Sequence, residues 1–284
     1  MTLKLSLAQW SLHRTIRSGA QRADHFPRIA KEEFAIDAVE LVNTLLPGSS
    51  KQVFQTIRRI ANDYGVRVLL IMVDDAGDLC HPNNRLRKKA VTNHYRWIDA
   101  AAFLGCHAVR VNTGGVPGLR WDTPVDSGLA QTALSRCLDS FNHLANHAEP
   151  LGVSVLIENH GGLSSNPRAV AELLQRASRD NLGTLPDFGN MPKRLDRYDC
   201  VERLLPYARG VSAKSYDFDA DGYETTIDYA RMMDLIRASR YSGHIGIEYE
   251  GNRLPEADGI RLSKALLEKF IEPEVTRHKA PTLT

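Results

Sequence analysis

Apolar and polar positions along the chain follow two alternating rhythms. Short β-rich runs occur at Leu3–Ala8, Ile36–Leu41, Val66–Met72, His107–Val111, Val153–Glu158, Leu182–Pro186, Gly210–Lys214 and His244–Tyr249. Between most of them lie helix-length amphipathic segments, with apolar residues returning about every 3.6 positions. In Asn166-Pro167-Arg168 an N-cap residue precedes proline at the first helical position, and Val170, Leu173 and Leu174 then fall on one face. Tyr229, Met232, Met233 and Ile236 repeat that pattern after a cap region at Thr225-Thr226. Within Asn84–Leu104, Val91, Ile98, Ala101 and Ala102 form another buried stripe.

Eight strand–helix units predict an α/β chain folded as a single-domain parallel (β/α)8 TIM barrel over residues 1–272, with a surface tail at 273–284. A doubly wound sheet is the second choice. It would want a Gly-rich phosphate loop after an early strand, and the chain has neither GxGxxG nor GxxxxGK[ST]. Gly114-Gly115 and Gly161-Gly162 read as tight turns.

Composition narrows the function classes. Of 284 residues, 43% are apolar and 25% charged, enough for a large core under a solvated surface. The formal charge of +2 comes without a basic run interleaved with aromatics, so no nucleic-acid partner is expected. Cys80, Cys106, Cys137 and Cys200 form no CxxC pair and read as free thiols of a reducing cytosol. The N-terminal MTLKLSLAQWSLH is too short and polar for a signal peptide. No apolar stretch approaches the roughly 18 residues of a membrane span. The expected location is cytoplasmic.

The candidate chemistry lies where the strands end, since barrel active sites form at the C-terminal ends of their strands. Alternation places Glu248 and Glu250 on one face of the eighth strand, Glu158 and His160 on one face of the fifth, and Ser212 and Lys214 on one face of the seventh. Arg110 and Asn112 share a face of the fourth, Glu40 closes the second, and Asp187 follows the sixth. So many inward ionisable groups need partners or a cation. Glu158, Asp187 and Glu248 are the best metal candidates, suited to Mn2+ or Mg2+. The competing interpretation pairs each carboxylate with Lys214 or Arg110 in an ion network. Asp74 and Asp75 are expected to cap the segment after the third strand.

The ordered motifs Glu158-Asn159-His160-Gly161-Gly162, Pro186-Asp187-Phe188-Gly189-Asn190 and Ile245-Gly246-Ile247-Glu248-Tyr249-Glu250-Gly251 resemble those of the xylose-isomerase-like barrels. That sugar phosphate isomerase/epimerase group includes ketose 3-epimerases and inosose dehydratase and is related to endonuclease IV. The resemblance runs from Ser6 to about Lys269 and specifies the superfamily better than the substrate. It implies a metal held by Glu158, Asp187 and Glu248, with Zn2+ and Co2+ also in range. The family's histidine, two residues before the lysine of an H-x-K-D pattern, is replaced by Ser212. Water, Ser212 itself or a rearranged His160 is left to fill that fourth position.

The resemblance further implies proton abstraction beside a carbonyl by Glu158 and Glu248, with His160 and Lys214 as alternates. Arg110, Asn112, Asn190 and His13 would hydrogen-bond sugar hydroxyls, Trp10 would stack on a sugar or pack on His13, and Glu40 and Glu250 complete the substrate set. The implied activity is sugar isomerisation or epimerisation on a keto sugar or sugar derivative; Arg110 and Lys214 could bind a phosphate, but their carboxylate neighbours point to an unphosphorylated substrate. A lyase acting on an inosose or a 3-keto glycoside and a non-catalytic carbohydrate-binding barrel are the alternatives. Dimers or tetramers are common among such proteins. The endonuclease branch would need several more histidines, and Asn112 stands where one would be wanted.

Overall fold

The computed structural model describes residues 2–120 and 122–271, so the tail expected at 273–284 lies outside the described residues. Eight strands appear in chain order: β1 (Leu3–Ala8), β2 (Ala38–Val42), β3 (Arg67–Val73), β4 (Ala108–Val111), β5 (Ser154–Glu158), β6 (Leu182–Leu185), β7 (Val211–Ser215) and β8 (Gly243–Tyr249). They form one parallel sheet in the order β6-β5-β4-β3-β2-β1-β8-β7. Parallel bridges Thr184–Ala208 and Asp187–Ser212 carry the sheet from β6 across to β7. At this seam the Ser212 N–H donates to the Pro186 carbonyl at 2.9 Å and the Phe188 N–H to the Ser212 carbonyl at 3.1 Å. Pro186, which has no N–H to give, sits where β6 stops. The fold is the expected single-domain TIM barrel.

The α-helices are α1 (His13–Arg17), α2 (Phe26–Phe34), α3 (Lys51–Asp63), α4 (Asn84–Leu104), α5 (Gly128–Ala148), α6 (Pro167–Ala177), α7 (Arg197–Leu204), α8 (Tyr229–Ala238) and α9 (Glu256–Ile271). Period-two alternation divides every strand between two environments. Outward residues such as Val39, Leu41, Val155, Ile157, Ile245 and Ile247 join the helices' apolar faces in one continuous core. Inward residues Ala8, Val42, Leu70, Met72, Leu156 and Leu185 form a second, smaller cluster inside the barrel. The rest of that interior is polar, with Ser6, Glu40, Arg110, Glu158, Ser212, Lys214 and Glu248 all buried.

Side-chain caps fix several helix starts at the C-terminal end of the barrel. Asn166 accepts from the N–H groups of Arg168 and Ala169, as its place before Pro167 predicts. For α8 the cap is Asp228, which accepts from Arg231 N–H, and not the Thr225-Thr226 pair expected from sequence. Thr226 instead belongs to a loop wrapped around buried Glu224, whose oxygens take its N–H at 2.6 Å and its hydroxyl at 2.9 Å.

The expectation of four free thiols also fails. Cys80 after β3 and Cys137 on α5 form a disulfide across 57 residues of chain, while Cys106 and Cys200 are buried thiols. The segment after β3 packs on α5, where Ser140 Oγ donates to the Leu79 carbonyl at 2.7 Å, a tertiary contact with no local spacing signal. Among the described residues no helix is long and apolar enough to cross a membrane.

Candidate active site

The ends of β5, β6 and β8 bring Glu158, Asp187 and Glu248 to one point, with one oxygen from each within 4.8 Å of the others. All three are buried, at 1%, 0% and 4% exposure. Asp187 is fixed by Asn159, whose side chain accepts the Asp187 N–H at 2.8 Å and donates to the Asp187 carbonyl at 2.9 Å. Asp187 Oδ1 accepts the N–H groups of Gly189 at 2.8 Å and Asn190 at 2.6 Å. Glu158 Oε1 accepts from Asn190 Nδ2 at 3.0 Å, and its Oε2 lies 2.8 Å from Arg110 Nε. That last N–H is not aimed at the oxygen, so the contact is a close ion pair without a hydrogen bond.

Glu248 is engaged at both oxygens. Ser212 Oγ donates to Oε2 at 2.7 Å and Lys214 Nζ to Oε1 at 2.9 Å. Lys214 also stands 3.1 Å from Glu250 Oε2, while the Trp10 indole N–H donates to Glu250 Oε1. Gly189 leaves room for the lysine stem, because a Cβ there would come within 2.5 Å of Lys214 Cγ. Deeper in the barrel Glu40 accepts from Ser6 Oγ at 2.7 Å, and Gly246 clears its space, since an added Cβ would meet Oε1 at 2.6 Å.

The balance of buried charge decides what this arrangement favours. Among the described residues, Glu40, Glu158, Asp187 and Glu248 face two buried cations, Arg110 and Lys214. Burial pushes the Glu40 carboxyl up to about 7, against the hydrogen bond from Ser6. Asp187 is likewise pushed up to about 7 by burial, against the pull of Lys214. Burial also acts to raise Glu248, but Lys214 and Ser212 outweigh it and hold this carboxyl below its ordinary value. Arg110 and Lys214 are raised despite burial by the surrounding carboxylates, so both remain charged.

Glu158 Oε2 and Asp187 Oδ2 in the cluster, and Glu40 Oε2 deeper in the barrel, have no hydrogen-bond partner. Together with four buried carboxylates against two cations, the two cluster oxygens fit a divalent ion with a preference for oxygen donors. Ser212 Oγ donates its proton to Glu248 at 2.7 Å, which leaves its oxygen lone pairs uncommitted by that bond.

The remaining candidates line the rim. Arg110 Nη1 donates to Asp74, and Asn112 Nδ2 reaches the same oxygen at 3.1 Å. Asp74 is therefore the counter-ion of Arg110 and not the expected cap; burial acts to raise its pKa, but Arg110 holds it low. Asp75 accepts from Asn43 Nδ2 at 2.6 Å. His160 is exposed, outside the carboxylate cluster and close enough to Asp74 to lower its pKa. Trp10 and His13 stack at 4.8 Å between ring centroids, with the Arg17 guanidinium also 4.8 Å from the indole, so a sugar stacking there must compete with these neighbours.

Sequence reasoning missed Asp74 and Asn159. For Asp74 a signal existed: it continues the inward series Leu70, Met72 by alternation. Asn159 sits on the opposite parity from Glu158, so alternation set it aside, and its clamp on Asp187 bridges two strand ends.

Comparison with known proteins places the chain. A curated relative, a probable endonuclease 4 from Haloarcula marismortui, is 33% identical over 108 residues, which are 38% of this chain. The chain thus spans about a third of that protein's length, 35%. Among solved structures, a D-tagatose 3-epimerase-like protein is similar at 20% identity and a TM-score of 0.74, over 95% of this chain and 97% of that one. A probable 3-DHS dehydratase from Bacillus anthracis is similar at 16% identity and 0.69, over 93% and 98%. The zinc-bound IOLI protein is similar at 12% and 0.73, over 95% and 98%. At these identities the structures show the shared fold. The family model described as "Xylose isomerase-like TIM barrel" matches residues 29–270. The chain belongs to the xylose isomerase-like TIM barrel family.

Proposed function

We propose that the protein is a sugar isomerase or epimerase that moves a proton on the carbon beside a carbonyl, using Glu158 and Glu248. The observation that carries this reading is the meeting of three buried carboxylates from three strand ends, two of them with an oxygen that accepts no hydrogen bond. Glu158, Asp187 and Glu248 would hold a divalent cation, Mn2+ or Mg2+ by the hardness of the donors. When bound, such an ion supplies positive charge that polarises a carbonyl oxygen.

The chain's own residues set the proton chemistry. Asn190 and Arg110 fix Glu158 from two sides, and Ser212 and Lys214 fix Glu248, so each carboxylate is held in a set orientation for proton transfer. Asn112, Asn190 and His160 at the rim are suited to sugar hydroxyls. Arg110 and Lys214 each already serve two carboxylates, which leaves neither for a phosphate. An unphosphorylated keto sugar or sugar derivative is the substrate this charge distribution favours.

A lyase begins with the same proton abstraction and differs only in losing a leaving group; the dehydratase among the similar structures keeps this second reading in view. The carboxylate cluster contains no histidine among the described residues, which favours sugar chemistry over the nuclease activity in the curated relative's name.

Incubating candidate keto sugars with the enzyme in D2O separates the readings. Deuterium at one carbon of recovered sugar is the expected result, and loss of exchange in Glu158→Gln and Glu248→Gln assigns the pair. An enone product would select the lyase. Absence of exchange and of product across the panel would leave a binding protein.

A further inference from the structure

Lys214 is suspended between two carboxylates with different surroundings. Its ammonium donates to Glu248 at 2.9 Å and stands 3.1 Å from Glu250. Glu248 belongs to the carboxylate cluster, whereas Glu250 lies outside it and is tethered from the other side by the Trp10 indole. Ser212 occupies the second oxygen of Glu248 at 2.7 Å. Both oxygens of Glu248 are therefore engaged in hydrogen bonds, while Asp187 Oδ2 has no hydrogen-bond partner and Glu158 Oε2 has only its ion pair with Arg110. A cation entering the cluster needs an oxygen of Glu248, and it brings like charge beside a buried ammonium. With 2% exposure Lys214 cannot withdraw into water, and Glu250 is the acceptor already in contact with it.

We propose that Glu250, held in place by Trp10, receives the Lys214 ammonium when the cluster takes up a divalent cation, so that lysine and cation compete for Glu248. The inference rests on the metal-holding reading of the cluster. Glu250 and Trp10 are positioning residues here: they set how readily Glu248 is released, and through it how tightly the ion binds.

The test is calorimetric titration of Mn2+ into the metal-free, full-length protein. Glu250→Gln leaves Lys214 to Glu248 alone and is expected to weaken Mn2+ binding about tenfold, while Lys214→Met frees Glu248 and strengthens it by a similar factor. In the Lys214→Met background, Glu250→Gln should have no further effect. Simple loss of a nearby negative charge predicts the same weakening with and without the lysine, and that outcome overturns the competition.

Trp10→Phe removes the tether without removing a charge, and it keeps the question open to experiment should Lys214→Met not fold. It should weaken binding about threefold, and an unchanged affinity contradicts the proposal. A wild-type protein that takes up no Mn2+ sinks the metal reading and this inference together. Uptake with additive variants sinks only the inference.

Discussion

The same eight strands build two unlike interiors. On their outer faces Val155, Ile157, Ile245 and Ile247 join the helices in an apolar core. On their inner faces, one residue away, Glu158, Ser212, Lys214 and Glu248 gather buried charge around the barrel axis. The outer layer supplies cohesion, because burying aliphatic groups is favourable wherever shape allows. The inner layer opposes folding unless every charge finds a partner. Here the partners run out: unsatisfied oxygens and two carboxyls pushed up to about 7 mark the excess of negative charge. On β5, β7 and β8 the apolar packing and the candidate site thus lie on opposite sides of the strand.

Neighbouring substitutions break this comparison most sharply at Ile157 and Glu158. Glu158→Gln should lower turnover by about 10²–10⁴-fold, measured as solvent deuterium exchange into substrate. Its effect on stability should be smaller than that of Ile157→Ala, because relief among like charges offsets the lost pairing with Arg110. Ile157→Ala should cost about 2–5 kcal/mol in denaturant unfolding and leave Mn2+ affinity nearly unchanged in the folded protein. Equal losses of stability from the two variants would remove the distinction between the layers.

Glu40 tests the inner layer alone, in metal-free protein. Its folded-state pKa of about 7 lies above the ordinary 4.5, so folding favours the protonated carboxyl. That contribution is complete below pH 4.5 and is lost as pH rises through about 7. Glu40→Gln should therefore gain on the wild type between about pH 5 and pH 8, by up to about 3 kcal/mol in urea unfolding. A pH-independent difference would show that Glu40 is not held neutral. The smallest effect belongs to the helix surface: Asp228→Ala should cost about 1 kcal/mol through loss of the α8 cap, with activity unchanged.

Much of this division can be read from the chain because alternation has a fixed period. The runs read as strands begin and end within two residues of those observed, and parity sorts Ile157 from Glu158 and Ile247 from Glu248. The sequence also marks Glu158, Asp187 and Glu248 as strand-end carboxylates, which the fold brings together. What escapes it are contacts between distant segments: the Cys80–Cys137 bond, the Asp74–Arg110 pair and the clamp of Asn159 on Asp187. Alternation gives the side of the strand for Asp74 and Arg110, but for none of these pairs does it name the partner. The hydrogen-bond state of Glu248 is hidden for the same reason: Ser212 and Lys214 share its side of the barrel, but only the register of β7 against β8 puts both on one carboxylate.

The most direct test of the central claim, that the carboxylate cluster holds a divalent cation, is the metal content of protein purified without chelator. The expected result is stoichiometric Mn, Mg, Co or Zn in the wild type, lost in Asp187→Asn while the fold is retained by circular dichroism. A wild-type protein that stays free of metal after loading with each of these ions would contradict it.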